Sequence, residues 1–137
     1  MKKTIAKVIS AVFATTLIIS TVVSANVYTS SGVVYGYYGS TPGTASTPTY
    51  TIGSSGRVKA TNTITPAIGY SPLDYTFALQ VYQSSLGGWI NVDSVDGNGS
   101  NYSRGYASGL SIRTEIRDFT QNRTDGGHWS VSTDNNY

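Results

Sequence analysis

The sequence predicts a small all-β protein: an antiparallel β-sandwich of six to eight strands, immunoglobulin-like or similar, preceded by a cleaved N-terminal signal helix. Three observations carry this expectation. Apolar and polar residues alternate in several short segments, as they do in strands with one buried face. Gly, Asn, Asp and Ser cluster about every 8–12 residues between those segments, which is the spacing of turns in a sandwich or barrel. After residue 25 the chain holds 14 Thr, 16 Ser, 15 Gly and 11 Tyr, with Glu only once, and no long segment of strong helix formers remains.

Residues 1–25 read as a secretory leader. Lys2, Lys3 and Lys7 give a basic start, Val8 to Val23 is largely apolar, and Val23-Ser24-Ala25 sets small residues at the −3 and −1 positions, where a peptidase must fit the extended chain. The apolar stretch is interrupted by Ser and Thr and is shorter than the roughly 20 residues a spanning helix requires, so cleavage after Ala25 is expected. Residues 26–56 form a Gly/Ser/Thr/Tyr-rich segment, with Pro42 and Pro48 and one apolar cluster at Val33-Val34. They are expected to give an edge strand plus a loop, or a flexible arm.

Residues 57–137 carry the expected core of the β-domain. Arg57–Ile64 points Val58, Ala60 and Ile64 inward. Tyr75–Tyr82 sets Tyr75, Phe77, Leu79 and Val81 on one face, with Thr76, Gln80 and Tyr82 on the other. The connector Ser84–Gly88 joins this strand to Trp89–Asp93 as a hairpin. Asp96-Gly97-Asn98-Gly99-Ser100 then breaks the pattern with residues that tolerate positive φ. Leu110–Arg117 turns Leu110, Ile112 and Ile116 inward and Arg113, Glu115 and Arg117 outward, and His128–Ser132 makes a short last strand around Trp129 and Val131. Two weaker strands are expected over Val33–Tyr38 and Tyr102–Ala107, interrupted by Gly36 and Gly105.

Charge and composition exclude several functional classes. The whole chain is +2, but the three leader lysines account for the excess. After residue 25, six Lys/Arg face seven Asp/Glu, so the mature product is close to neutral and has no basis for nucleic-acid binding. The absence of Cys excludes disulfides, thiolate metal sites and cysteine nucleophiles, and the single His excludes most histidine-based metal sites. A cysteine-free domain of this size has to fold on its own core, which can hide about 65% of the unfolded surface. The basic start and the lack of Cys suit a bacterial exporter, and the product is expected to be secreted and extracellular, with no stable membrane anchor after cleavage.

The chemistry-bearing residues do not assemble into a catalytic set. His128, Asp125 and Ser130 lie near one another in sequence, but turn formation explains Asp125-Gly126-Gly127. Glu115, the sole glutamate, sits between Arg113 and Arg117, where ion pairing makes it a poor general acid. The loop from Asn91 to Gly99 concentrates oxygen donors, yet counting back from Gly97 puts Val92 at the first ligand position of a calcium loop. An irregular site on Asp93, Asp96 and Asn98 is the remaining arrangement, and turn chemistry accounts for the same residues. No metal, cofactor or catalytic residue is therefore expected.

Aromatic residues are the surplus. The tyrosines exceed the needs of one small core, and a Tyr ring offers a flat apolar face with a polar tip. Tyr35, Tyr37, Tyr38, Tyr102 and Tyr106 are the candidate binding residues. The expected function is that of a non-enzymatic extracellular binding module, whose partner is a glycan, a cell-wall component or a protein. The alternatives are an exported antagonist of the bacteriocin or pore-forming kind, and a self-associating subunit that exchanges strands in a fibre.

Overall fold

The computed structural model describes residues 27–137 throughout and, of residues 1–26, only the backbone of three short extended segments, β1 (Ser10–Ala11), β2 (Ala14–Thr15) and β3 (Ile19–Ser24). The signal helix and cleavage expected over residues 1–25 otherwise lie outside the described residues. Nine strands follow: β4 (Val27–Val34), β5 (Gly43–Ser46), β6 (Tyr50–Thr51), β7 (Val58–Thr65), β8 (Tyr75–Gln83), β9 (Gly88–Asp96), β10 (Gly99–Ser103), β11 (Ser111–Asp118) and β12 (Gly127–Asp134). Only two single-turn 3-10 segments, Pro72–Asp74 and Ser84–Leu86, interrupt them.

The strands form two antiparallel sheets. Sheet I runs β10-β7-β12-β4-β3, and sheet II runs β5-β11-β8-β9 with β6 also paired to β11. The alternation read from the sequence becomes the inner faces. Val58, Ala60 and Ile64 of β7, Trp129 and Val131 of β12, and Val34 of β4 meet Tyr75, Phe77, Leu79 and Val81 of β8 and Ile112 and Ile116 of β11 in one buried cluster. Burial of each large apolar side chain contributes about 1.5–3 kcal/mol, and in a chain without disulfides this cluster holds the sheets together.

Some inward positions are polar, among them Ser30, Asn62, Asn101, Thr114, Asp118 and Thr133. Asn62 of β7 and Asn101 of β10 are both buried, and their side-chain amides meet at 2.5 Å. A second polar contact ties residues before Arg57 into the sandwich: the Ser30 and Tyr50 hydroxyls are hydrogen-bonded at 2.5 Å, and Tyr28 stacks on Tyr50 with ring centroids 4.7 Å apart. Within residues 27–56, Val34, Ala45 and Ile52 belong to the buried core.

Two strand expectations shift. The strand expected over Val33–Tyr38 lies earlier, at Val27–Val34, and the one over Tyr102–Ala107 lies at Gly99–Ser103. The first ends because Gly36 is pressed against the backbone after β11: a Cβ there would fall 2.2 Å from the Thr120 carbonyl oxygen. Gly36 N–H donates to the Asn122 carbonyl at 2.7 Å and Tyr37 N–H to that of Thr120 at 2.8 Å, outside any ladder. The expected break at Asp96–Ser100 is a tight turn with Gly97 at φ 72°, and it carries the chain from sheet II into sheet I.

Candidate aromatic and arginine platform

The outer face of sheet II is built from residues that alternate with the core. Register places Tyr82 opposite Trp89, Gln80 opposite Asn91, and Arg113 opposite Gln80. Arg113 extends across β8 toward β9. Its guanidinium carbon lies 4.3 Å from the Trp89 ring centroid, and its Nε donates to Gln80 Oε1 at 2.8 Å. Gln80 Nε2 in turn donates to Asn91 Oδ1 at 2.9 Å. These bonds explain how Gln80, expected on a wetted face, is only 4% exposed: its amide is satisfied by neighbours instead of water.

Around this centre, the Tyr82 ring meets Trp89 edge-on at 5.5 Å, and Leu86 stands 67% exposed in the adjoining turn. Glu115 accepts from Arg117 Nε at 2.5 Å and lies 3.9 Å from Arg113 Nη2. The glutamate is thus held between two guanidinium groups, as its sequence position implied. The platform combines an indole, a phenol and a guanidinium whose orientations are fixed by contacts within the sheet. The sequence reading put Arg113 and Tyr82 on outward faces but did not join them to Trp89. Only the cross-strand register does so.

Four of the five candidate tyrosines fall at two ends of the sandwich. Tyr35, Tyr37 and Tyr38 follow β4 at the end where Val34 pairs with Gly127. There Tyr37 packs edge-on against Phe119 at 6.1 Å, while Arg123 lies 5.2 Å over the Tyr38 ring and donates to the Tyr37 carbonyl at 2.6 Å. Tyr102 stands at the other end, on β10 opposite Lys59, which is itself opposite Asp134. The eight residues from Gly127 to Asp134 separate these ends by roughly 23 Å. Tyr102 is exposed and lies 6.0 Å from Tyr137, with the Lys59 ammonium near both rings. Tyr106 is partly buried and packs on the core.

The other candidate residues are turned to structural partners. Asp93 accepts from the Ser94 and Tyr102 N–H groups at 2.9 and 2.7 Å, Asp96 from the Thr76 hydroxyl at 2.6 Å, and Asn98 from Ile64 N–H at 2.7 Å. Their oxygens serve three different places and do not converge. His128 and Ser130 share the outer face of sheet I, and Asp125 is exposed in the preceding turn.

The acid with a perturbed environment is Asp118. It is fully buried, and removal from water pushes its carboxyl above the usual carboxylate value of 3.8; hydrogen bonds from Thr120 oppose this, and the charge of Asp74 adds to it. Its Oδ1 accepts from Thr120 N–H at 2.8 Å, whereas Oδ2 has no partner among the described residues. Tyr75, opposite Asp118 in the ladder, is raised above 10.0, chiefly by burial. Its hydroxyl accepts from Ala67 N–H at 3.0 Å.

No protein-family model and no curated protein sequence matches the chain. Among solved structures, Aeromonas hydrophila PliG, a periplasmic lysozyme inhibitor of g-type lysozyme, is similar with a TM-score of 0.53 and 14% identity, over 85% of this chain and 91% of that one. The Yersinia pseudotuberculosis-derived mitogen (YPM) matches with a TM-score of 0.40 and 20% identity, over 68% of this chain and 86% of that one. The likeness to PliG is one of fold: a β-rich sandwich without a resemblance in sequence. Among the described residues, no helix is long and apolar enough to cross a membrane.

Proposed function

We propose that the chain is an exported bacterial binding module without enzymatic activity, and that it engages a protein partner through the outer face of sheet II. The observation that carries this reading is the Trp89–Arg113 stack, locked through Gln80 and flanked by Tyr82 and the exposed Leu86. Trp, Tyr and Arg dominate the energetics of protein interfaces: the aromatic rings bury a large area with few lost rotamers, and the planar guanidinium stacks and donates several hydrogen bonds at once. Anchors already held in place by their own sheet lose little further freedom on binding. The basic leader and the small residues before Asn26 support export. The PliG structure supports the same reading as analogy, since a fold of this kind serves there as an inhibitor of another protein.

The test is binding of the mature product, residues 26–137, to purified candidate proteins, beginning with a g-type lysozyme, alongside a search for interacting proteins in the extracellular fraction. Arg113→Ala and Trp89→Ala are run in parallel. The expected result is a complex, or inhibition of the lysozyme, that weakens at least tenfold in both variants while their folding by circular dichroism is retained. Equal binding by wild type and both variants would move the interface elsewhere. Failure to retain any protein would end the reading.

A further inference from the structure

Sheet I presents an outer face of different chemistry. Alternation sends Thr29, Ser31 and Val33 of β4, Lys59, Thr61, Thr63 and Thr65 of β7, and His128, Ser130, Ser132 and Asp134 of β12 away from the core. Register then stacks them in rows across the strands. Thr29, Ser132, Thr61 and Ser100 make one row, Ser31, Ser130 and Thr63 the next, and Val33, His128 and Thr65 a third. Neighbouring strands lie about 4.8 Å apart and successive outward residues about 6.8 Å apart, so the hydroxyls form a regular array.

Very few of these hydroxyls are used internally. Among the described residues, the side-chain hydrogen bonds on the array are Thr61 with Ser100 and Thr63 with the Ser130 carbonyl, both at 3.4 Å. Both are at the limit of useful length. At the His128 end the face opens into a trough of about 630 Å³, lined by the polar Ser31, Thr65, His128 and Ser130 and by the apolar Val33, Ile64 and Trp129. That volume lies in the range of small-ligand sites, roughly 300–1,000 Å³. At the opposite end of the same strands stand Tyr102 and Tyr137, exposed and 6.0 Å apart. The seven residues from His128 to Asp134 span roughly 20 Å.

We propose that this face is a second binding surface, distinct from the platform on sheet II, and that it takes a neutral, extended oligosaccharide. Hydroxyls that both donate and accept match a ligand made of hydroxyls. The trough contains no carboxylate or lysine to favour a charged ligand, and the exposed Tyr102 and Tyr137 rings supply flat apolar surfaces on which sugar rings stack. Among the outward residues of β4, β7 and β12 there is no Trp or Arg, side chains that anchor protein interfaces, and the valine of the trough, Val33, is half-buried. The ligand then runs along β12, with one unit seated over His128 and another on the tyrosine pair.

The experiment is amide and side-chain NMR titration of the mature product with four neutral hexasaccharides in turn: cello-, malto-, manno- and chitohexaose. At least one is expected to shift resonances of both the His128 trough and the Tyr102 end, with saturable binding. Ser130→Glu, which fills and charges the trough, is expected to weaken that binding at least tenfold. Tyr102→Ala is expected to weaken it roughly three- to tenfold, and a double-mutant comparison reports whether one chain spans both ends. Shifts confined to a single end, shifts on sheet II, or no shift with any of the four at millimolar concentration would overturn the proposal. Because the two surfaces lie on opposite sheets, failure here leaves the protein-binding reading to its own test.

Discussion

Arg113 lies over the face of Trp89 with its guanidinium carbon 4.3 Å from the ring centroid, although the two residues belong to strands separated by β8. The side chain bridges that gap and leaves Gln80 buried beneath the contact, bonded on both sides. The stack and the amide network therefore act as one unit.

Removing the arginine should disturb both parts. Arg113→Ala withdraws the donor from Gln80 Oε1 in a nearly buried position, and an unsatisfied buried acceptor costs about 1–3 kcal/mol. Loss of the cation over the ring should also change Trp89 fluorescence, and equilibrium unfolding in urea reads the stability change. Arg113→Lys should recover less than half of the loss. An ammonium cannot present a planar face to the indole and at the same time donate laterally to Gln80.

Asp118 should make stability fall as the solution becomes less acidic. Its native carboxyl binds a proton more tightly than the unfolded chain does, mainly because burial disfavours the charged form. Through the window from the unfolded value of 3.8 up to the raised native value, the native state holds more protons, so the unfolding free energy declines with rising pH. Its contribution is fully present below that window and lost above it. Asp118→Asn keeps an oxygen for Thr120 N–H and cannot ionise. Thermal melts from about pH 4 to about pH 8 should show the downward slope reduced in the variant, with a gain in melting temperature at the neutral end. An unchanged slope would locate the pH dependence in other groups.

The inner face of the sandwich was legible from residue pattern because burial follows a period of two. Val58, Ala60 and Ile64, or Tyr75 through Val81, declare their face without knowledge of the partner strand. Register is a property of pairs, so the Arg113–Trp89 contact and the hydroxyl rows of sheet I could not be read from either strand alone. The distribution of the candidate tyrosines is likewise a matter of pairing. Tyr35, Tyr37, Tyr38, Tyr102 and Tyr106 share a type, but the strands between them place the first three at one end and Tyr102 at the other. The two displaced strands end before Gly36 and Gly105, whereas Gly32 stays paired within β4, so the packing around a glycine and not its type decides where pairing stops.

Gly36 provides a direct check on that end of the molecule. A methyl group there would meet the Thr120 carbonyl at 2.2 Å, its hydroxyl at 2.6 Å and the Asn122 carbonyl at 2.8 Å. Two of these neighbours are backbone and cannot rotate away. Gly36→Ala should destabilise by about 1–3 kcal/mol through overpacking, which for a domain of this size lowers the melting temperature by roughly 4–8 °C per kcal/mol. Amide exchange should quicken at Tyr37, whose N–H bonds to the Thr120 carbonyl. A neutral effect would show that the chain between β11 and β12 can move aside without loss.

The Asn62–Asn101 pair separates the cost of breaking a buried polar contact from its net worth. Both residues are at most 1% exposed, and each amide is the other's close partner across β7 and β10. Asn62→Ala alone takes the partner from one end of the Asn101 amide, whose other end faces the Ser94 and Val95 N–H groups, and Asn101→Ala strands the amide of Asn62. Each single change should therefore cost about 1–3 kcal/mol, plus a contribution from the space left behind. Replacing both with Leu removes the unsatisfied groups together and restores volume, so the double variant should be more stable than either single one. A double-mutant cycle from urea unfolding measures the coupling directly. Additive losses with no coupling would mean that the two amides are solvated independently, and that the polar contact does not join β10 to the rest of sheet I.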